Sequence, residues 1–158
     1  MKAIYISFFV LSTFLSHAQT SLYGKLTAFV SNQTKEVVSN RLIAINIWSV
    51  NNKSSRLIND EFDEVYKAFE YAKLKGGNKG IIVLNINLES DPVNTDITLE
   101  KDGITKALKV SSDNSDIINL LKEKPAGYNI VFDENGNVVF ENLAQGAVFS
   151  AIQKLIIR

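Results

Sequence analysis

The chain of 158 residues contains no cysteine. That absence excludes disulfides, thiolate nucleophiles, thiolate metal ligands and a lipid-modified N-terminal cysteine, so a lipoprotein is not expected and the fold stands on packing alone. Histidine is nearly as scarce, with His17 the one example. An excess of either charge is missing too: 17 Lys and Arg face 17 Asp and Glu. A nucleic-acid partner, which requires a basic stripe, is therefore not expected. Two prolines and eight glycines are too few for a Pro/Gly-rich linker, and no internal repeat or low-complexity tract interrupts the chain. What is present is ordinary globular material. Hydrophobic residues make up 46% and charged residues 22%, enough for one domain with a real core.

The first 18 residues have the three-part build of a secretory signal peptide. Lys2 supplies the positive start, Ala3 to Leu15 the apolar run, and Ser16 and Ala18 the small residues before cleavage at Gln19. The run is shorter than the ~18–20 apolar residues that cross a bilayer. The sequence thus predicts export to the periplasm or the exterior, a domain over residues 19–158, and no membrane span in the mature chain. Cleavage would take away His17, leaving neither His nor Cys, and hence no imidazole base and none of the usual ligands for zinc, copper or haem. It would also remove one of the 17 cations and none of the 17 acids, for a net charge of −1. No cofactor is expected.

Along the mature chain, Leu22–Val30 and Glu36–Val38 flank the polar cluster Ser31–Thr34 and read as a lead-in β-hairpin. Leu42 to Trp48 is almost wholly apolar, as a strand buried on both faces would be. Ile58, Phe62, Val65, Phe69 and Ala72 then recur at helical spacing, with acids early and lysines late, as the helix dipole favours. Gly76-Gly77 is expected to stop this helix. Gly80 to Leu88 reads as a second buried strand, completing a right-handed βαβ unit. Asp91-Pro92 predicts a turn, and the rest of Glu89–Val110, without a clear period, reads as irregular or partly helical. A short helix is expected over Asp116–Lys122. Ile130–Phe132 and Val138–Phe140 flank Asp133-Glu-Asn-Gly-Asn137, a strong hairpin signal, and Ala147–Ile157 is expected to close the chain as a helix. The predicted fold class is α/β with a mixed sheet flanked by helices.

This order, together with particular residues, resembles the thioredoxin-like fold. Arg41-Leu-Ile-Ala-Ile-Asn-Ile-Trp48 is similar to the strand that precedes the active site in TlpA/ResA-type exported thiol–disulfide oxidoreductases. Ile130-Val-Phe-Asp133, with Gly136 and Val138, resembles their Asp-x-x-Gly hairpin. The resemblance implies that the nucleophilic cysteine falls on Asn52 and the resolving cysteine on Ser55. Disulfide exchange needs a thiolate and a sulfur to attack; an amide and a hydroxyl supply neither. The family's cis-proline would fall near Gly127, with Pro125 two residues early.

Two functions follow as expectations. The first is a non-catalytic module of the cell envelope that holds a protein or peptide on the old active-site face, formed by Trp48, Asn51, Lys53, Ser54, Gly127 and Tyr128 around the vestigial Asn52 and Ser55. Aromatic residues suit such a surface, although Trp48 reads equally as core. The second is an enzyme of non-thiol chemistry on an anionic substrate, with Lys53 and Ser55 at a helix N-terminus. Against it, no base is available to activate a serine, and Ser54 or Ser55 serves as a helix cap in the simpler reading. Asp133–Asn137 starts like a calcium loop, but Val138 and Ala144 stand where that motif needs Gly and Glu, so a turn is expected.

Overall fold

The computed structural model describes residues 22–34, 38–77, 79–89 and 91–157. The predicted signal peptide lies outside them. Residues 22–34 form helix α1. There follow β1 (Leu42–Trp48), α2 (Lys53–Phe69), β2 (Ile81–Asn87), α3 (Pro92–Lys101), β3 (Leu108–Val110), α4 (Ser115–Leu121), β4 (Asn129–Phe132), β5 (Val138–Glu141) and α5 (Val148–Gln153).

The strands make one five-stranded sheet in the order β3-β2-β1-β4-β5. β1 runs parallel to β2, and β2 to β3, while β4 pairs antiparallel with both β1 and β5. Every residue of β1 and β2 is buried, which is why both runs lack the alternation of a half-exposed strand. The βαβ unit and the mixed sheet expected from the sequence are thus present. Both parallel crossovers step the same way across the sheet, and right-handedness then puts α2 and α3 on one face. Asn46 of β1 reaches α2 from that face, bonding Ser55 O and Asn59 Oδ1. Helix α5 lies beside α2, where Phe69 and Phe149 meet at 5.1 Å between ring centroids. On the other face Tyr23 of α1 meets Phe132 at 5.7 Å, and Lys25 pairs with Asp116 of α4 at 2.9 Å.

Three expectations are corrected. The lead-in hairpin is not formed: its first arm lies in α1, and of its second arm residues 36 and 37 lie outside the described residues. Leu22, Leu26, Phe29 and Val30 are all buried, and their spacing of four, three and one is a helical stripe. Helix α2 ends at Phe69 instead of continuing past Ala72, because Lys73 and Leu74 leave it to form bridges with Lys79 and Ile156. The closing helix is likewise shorter, since the backbone after Gln153 finds partners in that segment: Lys75 N donates to Leu155 O at 2.7 Å and Ile157 N to Lys73 O at 3.0 Å. The region Glu89–Val110 is partly helical, in line with one of its two readings: it contains α3, and β3 besides. In α3 the two buried residues are threonines, Thr95 and Thr98, whereas Val93 and Ile97 are 65% and 56% exposed.

Two contacts fasten this inserted α3–β3 connection to α2. Asp63, buried on α2, accepts from Lys106 N at 2.7 Å, Ala107 N at 2.8 Å and Thr105 N at 3.2 Å, and from Lys67 Nζ at 2.6 Å. Burial alone would push its carboxyl up; the Lys67 ammonium and the backbone N–H groups outweigh that and hold it below the usual carboxylate range. Arg56 grips Asp102, at the end of α3, through two nitrogens, one at 2.7 Å.

One glycine is obligatory. Gly80 opens β2 with φ +80°, and a Cβ there would lie 1.9 Å from Glu70 O.

Candidate functional site

The loop from Ser49 to Asn52 carries the chain from β1 into α2, and Ser49 and Asn52 are engaged in building the helix start. Asn52 is the N-cap: extended at φ −103° and ψ 96°, it accepts from Ser55 N through Oδ1 at 2.9 Å. Ser55 is buried and donates its hydroxyl to Asn52 O at 2.8 Å. Its Oγ also accepts from Ser49 N at 3.2 Å, and its carbonyl from Asn46 Nδ2 at 3.1 Å. Glu89, just past β2, holds the loop from the side by accepting from Ser49 Oγ and Val50 N. The cap is therefore the Asn52 side chain, not a serine hydroxyl as the sequence suggested. The two vestigial positions bond each other, and the Ser55 hydroxyl is withdrawn from any substrate.

The expected face is only partly assembled. Asn51, Lys53 and Ser54 are exposed, Ser54 donating to Gln145 Oε1 at 3.1 Å. Trp48 is 1% exposed; it belongs to the core, and no protein acceptor reaches its indole N–H. Tyr128 is buried as well, with Lys124 Nζ 4.3 Å over its ring. Its hydroxyl donates to Glu141 at 2.7 Å, and burial followed by that bond pushes its pKa well up. Gly127 sits half-buried beside the end of β1 at φ +95°, donating to Ile47 O at 2.6 Å. No peptide bond among the described residues is cis, Pro125 included, and Tyr128 N donates to Pro125 O across a turn at 3.0 Å. Burial thus takes both aromatic residues out of the binding face.

In their place the structure adds residues that the sequence reading missed. Asn51 and Lys53 line an open groove of about 330 Å³ together with Arg56, Leu57, Asp60 and Asp102. Lys53, Arg56, Leu57 and Asp60 follow one another at helical spacing on the outer face of α2, and that spacing was legible; Asp102 arrives from α3 by tertiary contact. Leu57 is 38% exposed and gives the groove an apolar patch. The hydrogen bond to Asp102 pushes the Arg56 guanidinium further up, so it stays charged and transfers no proton.

Inside the sheet, Asn46 of β1 stands in register with Asn85 of β2 and Asn129 of β4. All three are buried. Asn129 Nδ2 bonds Gly127 O and Leu143 O, each at 3.0 Å, while neither side-chain polar atom of Asn85 finds a protein partner. Asparagines in or at the edge of the apolar runs Leu42–Trp48, Ile81–Asn87 and Asn129–Phe132 are the signal. Asp133 accepts from Asn135 N, Asn137 N and Asn137 Nδ2, so the calcium-like segment is a turn. Among the described residues no group of His, Cys, Asp and Glu could hold a metal ion, and no helix is long and apolar enough to cross a membrane.

No protein-family model matches the chain, and no curated protein matches it in sequence. Solved structures do match. The thioredoxin domain of a thiol-disulfide oxidoreductase from Bacteroides vulgatus superimposes with TM-score 0.60 at 13% identity, covering 75% of this chain and 81% of its own. A thiol-disulfide oxidoreductase from Bacteroides fragilis gives TM-score 0.56 at 19% identity, covering 78% and 88%. A thiol:disulfide interchange protein from a Bacteroides species gives 0.59 at 14%, covering 74% of each chain. The fold is thioredoxin-like, in a chain without cysteine.

Proposed function

We propose that the protein is an exported thioredoxin-fold binding module of the cell envelope, without redox chemistry, that holds an extended peptide or protein segment in the groove along the start of α2. The observation that carries this reading is the use made of Asn52 and Ser55. Both are locked into the helix cap, while the neighbouring groove stays open and mixes Leu57 with balanced charges. Such a lining suits an interface better than proton transfer. The solved Bacteroides structures and the N-terminal leader support a periplasmic or secreted protein of Bacteroidota. An enzyme built on Lys53 and Ser55 is disfavoured, since the serine is buried and its hydroxyl committed.

Display of a random peptide library against the purified protein tests the reading. Peptides enriched on the wild type and lost on the surface variant Lys53→Glu/Leu57→Asp support it; equal enrichment on both removes the groove. Insulin reduction with dithiothreitol is expected to proceed at the blank rate, and turnover by the protein would refute redox inactivity.

A further inference from the structure

The charges that line the groove along α2 do not all cancel. Four of its six lining residues are charged: Lys53, Arg56, Asp60 and Asp102. Arg56 spends Nε and Nη2 on the two carboxylate oxygens of Asp102, so this pair is neutral. Lys53 and Asp60 make no salt bridge or side-chain hydrogen bond among the described residues, although Asp60 stands one turn after Arg56. Two nearby acids are engaged elsewhere. Glu61 accepts from Gly146 N and Val148 N, and Glu89 from Ser49 Oγ and Val50 N. Glu64 is exposed one turn beyond Asp60 and adds to the negative end. Glu100 and Lys101, at the end of α3, are exposed and do not line the groove.

The order along α2 is therefore cation, apolar group, anion. Lys53, Leu57 and Asp60 stand at i, i+4 and i+7, which is one stripe of a helix. Seven residues of α-helix rise about 10 Å. The helix dipole adds positive potential at the Lys53 end, and the exposed Asn51 offers an amide there. A helix stripe presents side chains and no free row of backbone N–H and C=O groups, so a bound segment cannot pair with it as a strand and keeps its own backbone solvated. Polyproline II is the extended conformation that does this, and its three residues per turn put positions i and i+3 on one side, about 9 Å apart. In a β-strand the same-side positions i+2 and i+4 lie about 7 and 13 Å away. The stripe matches the first of these spacings.

We propose that the groove holds a segment in polyproline II conformation with an acidic residue at one position and a basic residue three positions away. The acid lies at Lys53, the base at Asp60, and an apolar residue between them packs on Leu57. The proposal rests on the groove being a peptide site.

Calorimetric titration with capped hexapeptides tests it. The probe is Ala-Glu-Pro-Leu-Lys-Pro, whose prolines favour the bound conformation. Replacing its Glu or its Lys by Gln is expected to weaken binding by about threefold each, and placing Glu at both positions by about tenfold. Ala-Glu-Lys-Pro-Leu-Pro, with the charges adjacent, is expected to bind no better than a peptide with one charge removed. Asp60→Lys is expected to reverse the order, so that the two-acid peptide binds better than the probe. Glu134→Lys makes the same change of charge in the β4–β5 turn, at the other end of the sheet, and is expected to leave the order unchanged. Leu57→Asp is expected to weaken every peptide by about tenfold or more. The proposal is overturned if the wild type binds the probe no better than the two-acid or adjacent-charge peptide, or if Asp60→Lys keeps the wild-type order; the peptide site itself then stands, provided Leu57→Asp still weakens all of them. If no peptide binds the wild type, or Leu57→Asp binds as the wild type does, the peptide site falls and the charge pattern with it.

Discussion

Replacing Asp63 by asparagine keeps the shape of the side chain and removes its charge. Oδ1 accepts from Lys106 N and Ala107 N, and an amide oxygen can keep both bonds. Oδ2 accepts from Lys67 Nζ and from Thr105 N; an NH₂ group there sets donor against donor. Lys67 is 43% exposed and recovers part of its loss from water, so the cost falls mainly on the backbone group and the lost charge. A hydrogen bond to a charged group contributes about 1.5–3 kcal/mol, which puts Asp63→Asn at about 2 kcal/mol and a Tm drop of roughly 4–8 °C for a chain of this size. The pH dependence has a definite sign. The folded-state pKa lies below the unfolded one, so the contribution is complete above the ordinary Asp value of about 3.9 and disappears as pH falls through the folded value. Trp48 is the single tryptophan and is buried, so its fluorescence in urea reports unfolding directly. The gap between wild type and Asp63→Asn is expected to be full at neutral pH and to close below about pH 4. A gap that stays constant into acid, or no gap at all, would refute the account of how α3 and β3 are anchored.

Asn52→Ala removes the α2 cap and is expected to cost about 1 kcal/mol, with Asn52→Asp restoring most of it; urea midpoints check both. Asn85→Leu replaces a buried amide whose polar atoms lack protein partners, and is expected to raise the unfolding free energy by about 1 kcal/mol or more, read from urea titration. A double Asn52→Cys/Ser55→Cys variant places two thiols at the cap and at the third helical position. It is expected to form an intramolecular disulfide, seen as a mobility shift on thiol alkylation, and to acquire insulin reductase activity that the wild type lacks.

The parts of the fold that were legible are those whose burial leaves a local trace. β1 and β2 announce themselves as apolar runs, α2 by Ile58, Phe62 and Val65, and the β4–β5 hairpin by its Asp-Glu-Asn-Gly-Asn turn. The trace fails where short-range pattern and tertiary demand part. α1 reads as a strand in spite of the helical spacing of Leu22, Leu26, Phe29 and Val30, because the polar residues after it imitate a turn. α3 hides its period by packing threonines inward and leaving Val93 and Ile97 outside, and β3 has three residues, too few for any alternation to register. At the site, positions 52 and 55 were legible from the strand that leads to them. The burial of Trp48 and Tyr128, and the reach of Asp102 from α3 to Arg56, follow from contacts between distant segments and leave no local mark.

The three asparagines in register across the sheet act as a key for strand alignment. Side chains alternate along a strand, so sliding β1 by one residue would carry Asn46 out from under α2 and into the aliphatic layer of Ile43, Ile45 and Ile47 beneath α1. Sliding it by two would keep the layer but part Asn46 from Asn85, Asn129 and its partner Asn59. Apolar strands as uniform as Leu42–Trp48 and Ile81–Asn87 would otherwise tolerate several pairings of nearly equal energy. The row gives up some burial energy and leaves one alignment far better than its neighbours. Asn46→Leu, which removes the bonds to Ser55 O and Asn59 Oδ1, should therefore leave the sheet less certain of its register.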